Sequence, residues 1–151
     1  MESNAQSFRK LSSGPFSFEV YNASQNSFGI ASVFIYGQKD AILIDAQFTL
    51  ADAEKVAREI KQSGKNLTKI YVSHGDPDYY FGLQVFKTYF PDVTVYAAPA
   101  TIDHIKATAQ KKLEVWGKNL GKAITSNVVL PQVLQGSSME LEGQKLEVVG
   151  L

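Results

Sequence analysis

The sequence predicts an α/β fold in which helices cover a largely parallel sheet. Two observations support this fold class. Strand-like and helix-like segments alternate from Ala41 to Ala97 in the order β-α-β-α-β, which implies parallel pairing. The run Ala41 to Ile44 is continuously apolar, which is typical of a strand covered on both faces. The 151 residues, 44% hydrophobic and 20% charged, have the composition of one globular domain.

The first elements are predicted to be antiparallel strands. Phe16 to Tyr21 alternates in polarity and is rich in aromatic residues, which predicts a strand. Ile30 to Tyr36 and Ala41 to Ile44 flank a turn that contains Gly37, so they are predicted to form a hairpin. We assign residues 1–15 to an N-terminal extension and residues 16–151 to the domain.

A helix is predicted from Thr49 to about Ser63. Thr49 is a favoured capping residue, and Gly64 is a favoured terminator. The apolar residues of this segment recur at helical spacing, so that one face would lie on the sheet. These residues are Ala53, Val56, Ala57 and Ile60.

The later elements follow from the same patterns. A strand, a short helix and a second strand are predicted at Lys69 to Ser73, Leu83 to Tyr89 and Val93 to Ala97. A longer helix is predicted from about Thr101 to Trp116, closed by Gly117 and Gly121. Antiparallel strands with a Glu142-Gly143 turn are expected at Val128 to Leu130, Met139 to Leu141 and Leu146 to Val149.

Charge and composition exclude several classes of function. Fifteen basic residues balance fifteen acidic ones at a pI near 6.7, which argues against nucleic acid and anionic membrane as partners. The chain has no cysteine and only two histidines, so it cannot complete a thiolate site or a three-histidine site by itself. The compartment stays unassigned: cytoplasmic is slightly favoured, and a removed secretion signal is the alternative left open by the polar N-terminus.

Three potential metal ligands stand at every second position after the Lys69 to Ser73 strand. They are His74, Asp76 and Asp78. In an extended backbone such residues point to the same side, and the carboxyl ends of strands in α/β sheets are where ligands bind. An imidazole and two carboxylates suit zinc, iron or manganese, and they could also orient a water.

Helix capping explains the same residues equally well. Asp76 followed by Pro77 is a favourable helix start, and Asp78 would gain from the helix dipole in the first turn. Because the motif is short, spacing alone leaves capping and metal binding open.

The segment Ser73 to Gly82, SHGDPDYYFG, resembles the metal-binding signature of the metallo-β-lactamase superfamily, (T/S)-H-x-H-x-D-H-x-x-G. Ser73, His74, Asp78 and Gly82 match it. The likeness covers about residues 16–151. It implies a metallo-β-lactamase-like αββα sandwich, of which this chain would hold the N-terminal half and the start of the second half.

The resemblance implies roles for individual residues. The metal ligands would be His74, Asp76 and Asp78, with Asp78 also catalytic because it would orient the attacking water. Asp45 and Ser73 would support the loop from outside the coordination sphere. Tyr79 and Tyr80 are candidates for a substrate pocket, although packing of the short helix on the sheet is the favoured alternative.

Two positions depart from the signature. Asp76 and Tyr79 stand where the family has histidines. Asp76 can still bind a cation, but neutral tyrosine is a poor ligand. One divalent metal, or a weakly bound pair, is therefore expected rather than a full two-metal centre, with zinc first and iron or manganese as alternatives.

The family's later ligands come from its second half, so we expect a domain truncated at the C-terminus with a partly uncovered sheet face. Such a face could pair two copies of the chain. The implied function is a metal-dependent hydrolase of a small-molecule ester, thioester, amide or phosphoester, with this chain an inactive fragment. The alternative is a catalytically degenerate member that acts as a binding module.

Two other polar sites of the chain are predicted to be ordinary surface. His104 lies off the apolar face of the third predicted helix, which favours a solvated residue over a ligand. The pair Lys111-Lys112 is interpreted as solvated charge near the end of that helix.

Overall fold

The computed structural model describes residues 7–149, in which seven strands form one sheet in chain order. The strands are β1 (Ser7–Ser13), β2 (Phe16–Asn22), β3 (Ala31–Tyr36), β4 (Asp40–Ile44), β5 (Asn66–Val72), β6 (Thr94–Ala97) and β7 (Gln132–Val133). Strands β1 to β4 pair antiparallel, whereas β4 to β7 pair parallel. The predicted α/β class and parallel centre are confirmed.

Within residues 7–149, four α-helices join the parallel strands or flank the loop after β5. They are α1 (Leu50–Ser63), α2 (Pro77–Tyr80), α3 (Leu83–Tyr89) and α4 (Pro99–Leu120). The predicted ends of α1 are confirmed, because the Thr49 side chain accepts from the Asp52 backbone N–H and Gly64 adopts a left-handed φ of 77°. Within the described residues, no helix has the length and apolar character needed to cross a membrane.

Two predictions about the second half of the chain are wrong. Helix α4 does not stop at Gly117 but continues to Leu120, where Gly121 ends it as expected. An added side chain at Gly117 would meet no atom within 4 Å, so the glycine lies on an open part of the helix. The apolar run Val128 to Leu130 is not a strand, and β7 forms just after it beside β6.

Strand β1 lies in the segment assigned to an N-terminal extension. Ser7–Ser13 pairs along its whole length with β2, and all seven of its residues are exposed. Sequence patterns missed it because neither face of the strand is buried.

The continuous apolar strand β4 is covered on both faces, as predicted. Leu43 packs in the cluster beneath the helices, while Ile42 belongs to a second cluster on the opposite face, and both are fully buried. A hairpin of β8 (Ser138–Leu141) and β9 (Gln144–Glu147) contributes Met139 and Leu141 to this second cluster. The sheet face expected to be uncovered is therefore partly closed by the chain's own hairpin.

The hairpin is fastened to the rest of the domain by the carboxylate of Glu142. Its oxygens accept from the backbone N–H groups of Gln38, Lys39 and Asp40 at 3.0, 2.7 and 2.7 Å. These three bonds hold the pKa of Glu142 below its usual value. Gly37 leaves room for this carboxylate, since a Cβ there would lie 2.1 Å from the Glu142 Oε1 and would displace it. The segment after β9 is thereby brought next to the loop that follows β5.

Candidate metal site

The ligand-rich loop lies at the carboxyl ends of the parallel strands. It runs from Ser73, directly after β5, to Pro77, where α2 begins. The end of β4 lies alongside, because the Asp45 N–H donates to the carbonyl of Tyr71 at 2.9 Å. Open α/β sheets bind their ligands at this edge, so the loop occupies the expected place for chemistry.

Asp45 holds the start of the loop. Its carboxylate accepts from the Ser73 backbone N–H at 2.7 Å and from the Ser73 Oγ at 2.6 Å. The residue is buried and has a left-handed φ of 67°, a conformation that aspartate tolerates better than most residues. Burial raises the pKa of Asp45 to about 6, against the lowering effect of the two Ser73 bonds. The contact predicted between Asp45 and the loop is present.

Gly82, just after α2, brings the segment that follows the loop close to the chain after β4. Its N–H donates to the carbonyl of Gln47 at 2.9 Å, and a Cβ on Gly82 would lie 2.0 Å from the Ala46 carbonyl oxygen. The Ala46 N–H in turn donates to the Tyr79 carbonyl at 2.8 Å. Only glycine permits so close an approach of the two backbones.

The three predicted ligands differ in their surroundings. His74 and Asp76 are exposed, and Asp78 is half-buried in the first turn of α2. Burial raises the pKa of Asp78, and the Asp76 charge raises it further, while His74 and Lys112 lower it. The three side chains are therefore close enough to influence one another.

Asp76 occupies the capping position of α2, but its carboxylate makes no capping bond. Its Oδ1 instead lies 3.3 Å from the Lys112 Nζ and 4.0 Å from the His104 Nε2. The backbone thus follows the capping alternative, whereas the side chain turns towards α4.

The residues present suit part of a metal centre. One imidazole and two carboxylates are a donor set for zinc, iron or manganese. Among residues 7–149, however, no three His, Asp or Glu side chains are placed so that they could hold a metal ion. The loop therefore supplies an open, incomplete set of donors rather than a closed cage.

The two tyrosines after Asp78 have different environments. The Tyr79 ring lies against the His74 imidazole, with centroids 4.7 Å apart and planes tilted by 35°. Tyr80 is fully buried in the core, and burial raises its pKa to about 12. Tyr80 thus packs beneath the short helix, as the alternative to a pocket role predicted. The Tyr79 ring packs against His74, the histidine of the loop.

A cavity of about 470 Å³ opens on one side of the loop. Its polar lining comes from Ser73, His74, Asp76, Thr101 and His104, and Val148 and Val149 after β9 close its apolar side. This volume falls within the usual range for small-molecule sites.

A second cavity of about 360 Å³ lies on the other side of the loop. Phe28, Phe48 and Trp116 form its aromatic wall beside Asp76 and Asp78. Phe28 is 58% exposed and has a left-handed φ of 61°. The preceding turn is fixed to α1, because Ser27 Oγ donates to the buried Asp52 carboxylate at 2.8 Å.

Sequence reasoning missed the contribution of α4. His104 and Lys112 were both interpreted as solvated surface. They stand about two turns apart on α4, and the side chains of both approach Asp76 in the loop. The available signal was weak: positions 104, 108 and 112 share one side of a helix and carry polar residues. Nothing local to α4 shows that this side faces a ligand loop.

Comparisons with known proteins agree with this architecture. The family model described as the metallo-beta-lactamase superfamily matches residues 27–149. The chain belongs to the metallo-β-lactamase superfamily. No curated protein sequence matches it significantly.

Solved metallo-β-lactamases share this superfamily fold. The enzyme of Hirschia baltica aligns with a TM-score of 0.59 at 13% identity, over 90% of this chain and 57% of its own. Native FEZ-1 of Legionella gormanii gives 0.62 at 18% identity, over 89% and 49%. FIM-1 of Pseudomonas aeruginosa, in a mono-zinc form, gives 0.57 at 11% identity, over 89% and 54%. The chain thus spans about half the length of these relatives, and the likeness establishes the fold alone.

Proposed function

We propose that the chain provides the first half of a metal-dependent hydrolase site, with a divalent cation bound by the loop Ser73 to Asp78. The observation that carries this proposal is the pair of hydrogen bonds that the buried Asp45 accepts from Ser73, which fixes the backbone just before His74. A buried carboxylate with a raised pKa is costly to keep. A buried carboxylate that holds the first residue of a ligand loop is expected where the loop must stay in place for chemistry.

The proposed ligands are His74, Asp76 and Asp78. Zinc is the first expectation for the cation, with iron or manganese as alternatives, since the carboxylates harden the donor set. Because the donors are few and open, one cation suits them better than two.

The proposed chemistry is hydrolysis of an ester, thioester, amide or phosphoester in a small molecule. A divalent cation, when bound, supplies Lewis acidity and makes a water more acidic. Asp78 would orient the attacking water, because it stands at the start of α2, next to the loop, and lines the 360 Å³ cavity. The 470 Å³ cavity beside His74 is large enough for the reacting group.

A binding module that has lost catalysis is the second candidate. The Lys112 ammonium already contacts Asp76, and the Tyr79 ring packs against one side of the His74 imidazole. Both contacts stabilise the loop without a metal, as a retained but inactive fold would require.

Elemental analysis of protein purified without chelator separates the two candidates. We expect near-stoichiometric zinc, iron or manganese in the chain or in any longer product of its gene, and loss of that metal in His74→Ala and Asp78→Asn. Asp103→Asn, an exposed acid on α4, is the matched control and should keep the metal. Absence of metal from every sample, even after reconstitution, would leave the binding module.

A further inference from the structure

Both histidines of the chain line one cavity. The sequence contains two, His74 in the loop and His104 on α4, and the 470 Å³ cavity is lined by each of them. Asp76 also lines this cavity. Two imidazoles and a carboxylate around one polar space form a donor set that zinc favours.

The separation of Asp76 and His104 is close to that of two ligands on one ion. The Asp76 Oδ1 and the His104 Nε2 are 4.0 Å apart. Two donors at zinc bond lengths in tetrahedral geometry stand about 3.4 Å apart. No three donors among residues 7–149 are grouped closely enough to hold a metal ion as they stand. Both of these side chains are more than half exposed, at 58% and 51%, so they can rotate about their side-chain bonds towards a common ion.

Gly75 allows the His104 ring to lie against the loop. A Cβ on Gly75 would fall 2.4 Å from the His104 Cδ2 and 3.1 Å from its Cβ. The missing side chain between His74 and Asp76 is therefore filled by the imidazole from α4. This contact places His104 against the two residues that would share a cation with it.

A cationic group already contacts the proposed ligand oxygen. The Lys112 Nζ lies 3.3 Å from the same Asp76 Oδ1 that faces His104. Lys112 is only 28% exposed, so its ammonium is held near this oxygen rather than free in solvent. An entering cation would have to displace it.

We propose that His104 is a ligand of the same cation as His74 and Asp76, and that the Lys112 ammonium competes with this cation for the Asp76 carboxylate. This inference rests on the proposed metal site and extends its donor set to a second element of the fold. Helix α4 then supplies an imidazole that the loop lacks at positions 76 and 79.

Proton NMR of the tag-free chain during zinc titration tests the ligand directly. Two imidazole C2–H signals are expected from the two histidines, and the His104→Ala spectrum assigns them. We expect both signals to shift together and to saturate at one equivalent of Zn²⁺. A shift of the His74 signal alone would overturn the role of His104 and leave the proposed function standing. No shift of either signal would overturn both.

Zinc affinity, measured against a competing indicator, gives an independent test. His104→Ala should weaken binding at least about tenfold, whereas Asp103→Ala, its exposed neighbour, should not change it. Lys112→Met should tighten binding about two- to fivefold, because an ion pair with Asp76 no longer competes. Lys111→Met is the matched control. Unchanged affinity in both His104→Ala and Lys112→Met would contradict the inference, and circular dichroism verifies that the variants are folded.

Discussion

Asp45 and Asp76 are carboxylates of the same site with opposite surroundings. Asp45 is 6% exposed and accepts two hydrogen bonds from Ser73. The Asp76 side chain is 58% exposed and lies near His104 and Lys112, which both come from α4. The buried half of the site is thus fixed by the fold itself, whereas the exposed half is free to rearrange around a ligand. Substitutions in the two halves should accordingly change different quantities.

Two glycines, Gly82 just after α2 and Gly75 in the loop, should show this difference most strongly. Gly82→Ala forces a Cβ to 2.0 Å from the Ala46 carbonyl oxygen, so we expect a loss of about 3 kcal/mol or more in the free energy of unfolding. Gly75→Ala meets the exposed His104 side chain, which can turn away, so the loss should be about 1 kcal/mol. Urea unfolding measures both. Equal losses would contradict the division into a rigid and an adaptable half.

The second largest effect on stability is expected from the two hydrogen bonds that Asp45 accepts from Ser73. Asp45→Ala removes the acceptor of both Ser73 bonds and places alanine at a φ of 67°, so we expect a loss of about 2 kcal/mol. Asp45→Asn is the control, because asparagine keeps an acceptor and tolerates this φ. If the two variants have equal stability, the hydrogen bonds of Asp45 do not hold the loop.

Glu19 extends the comparison to a buried carboxyl that accepts a longer bond, from the Tyr36 hydroxyl at 3.4 Å. Burial, with the neighbouring Glu59 next in effect, raises its pKa from 4.5 to about 7, and only Lys10 and the Tyr36 hydroxyl oppose this. Below pH 4.5 the folded and unfolded chains both hold the proton, but between 4.5 and 7 only the folded chain does. The contribution of Glu19 to the free energy of unfolding is therefore lost as the pH rises from 4.5 through 7.

We expect the chain to lose about 2 kcal/mol of stability through Glu19 between pH 5 and pH 8. Glu19→Gln should remove that part of the pH dependence, and Glu140→Gln, an exposed acid, should leave it. Unfolding curves at both pH values provide the measurement. A pH dependence identical in Glu19→Gln and in the unaltered chain would refute the assignment.

The smallest effect is expected at the exposed turn of the β8–β9 hairpin. Glu142→Ala removes the acceptor of three backbone N–H groups, so the melting temperature should fall at pH 7. Because these bonds lower its pKa, the effect should be present above pH 4.5 and disappear as the pH falls through the lowered value. Glu140→Ala is the control for a surface charge. A fall in melting temperature that persists at pH 2 would show that the carboxylate is not its cause.

The parts of the fold that sequence patterns predicted are those specified by local signals. Helix α1 has a capping Thr49 and a terminating Gly64, and both act within a few residues of the helix. Gly117 resembled such a signal, but it lies inside α4, where tertiary context tolerated it. The run Val128 to Leu130 has strand composition yet finds no partner strand within residues 7–149. Composition alone does not supply that partner.

The candidate site divides in the same way. Ser73, His74 and Asp78 follow one strand and are visible as a motif. The contact of Lys112 with Asp76 joins residues 36 positions apart, and it exists only because α4 crosses above the loop. No local pattern encodes that crossing, which is why His104 and Lys112 were interpreted as surface.

Anomalous diffraction above the zinc edge, from crystals of the chain grown with Zn²⁺, tests the central claim most directly. We predict one strong peak in the cavity beside His74, within bonding distance of His74 and Asp76. The account would be contradicted if crystals grown with excess Zn²⁺ showed no anomalous peak at this loop, or showed peaks only elsewhere on the surface.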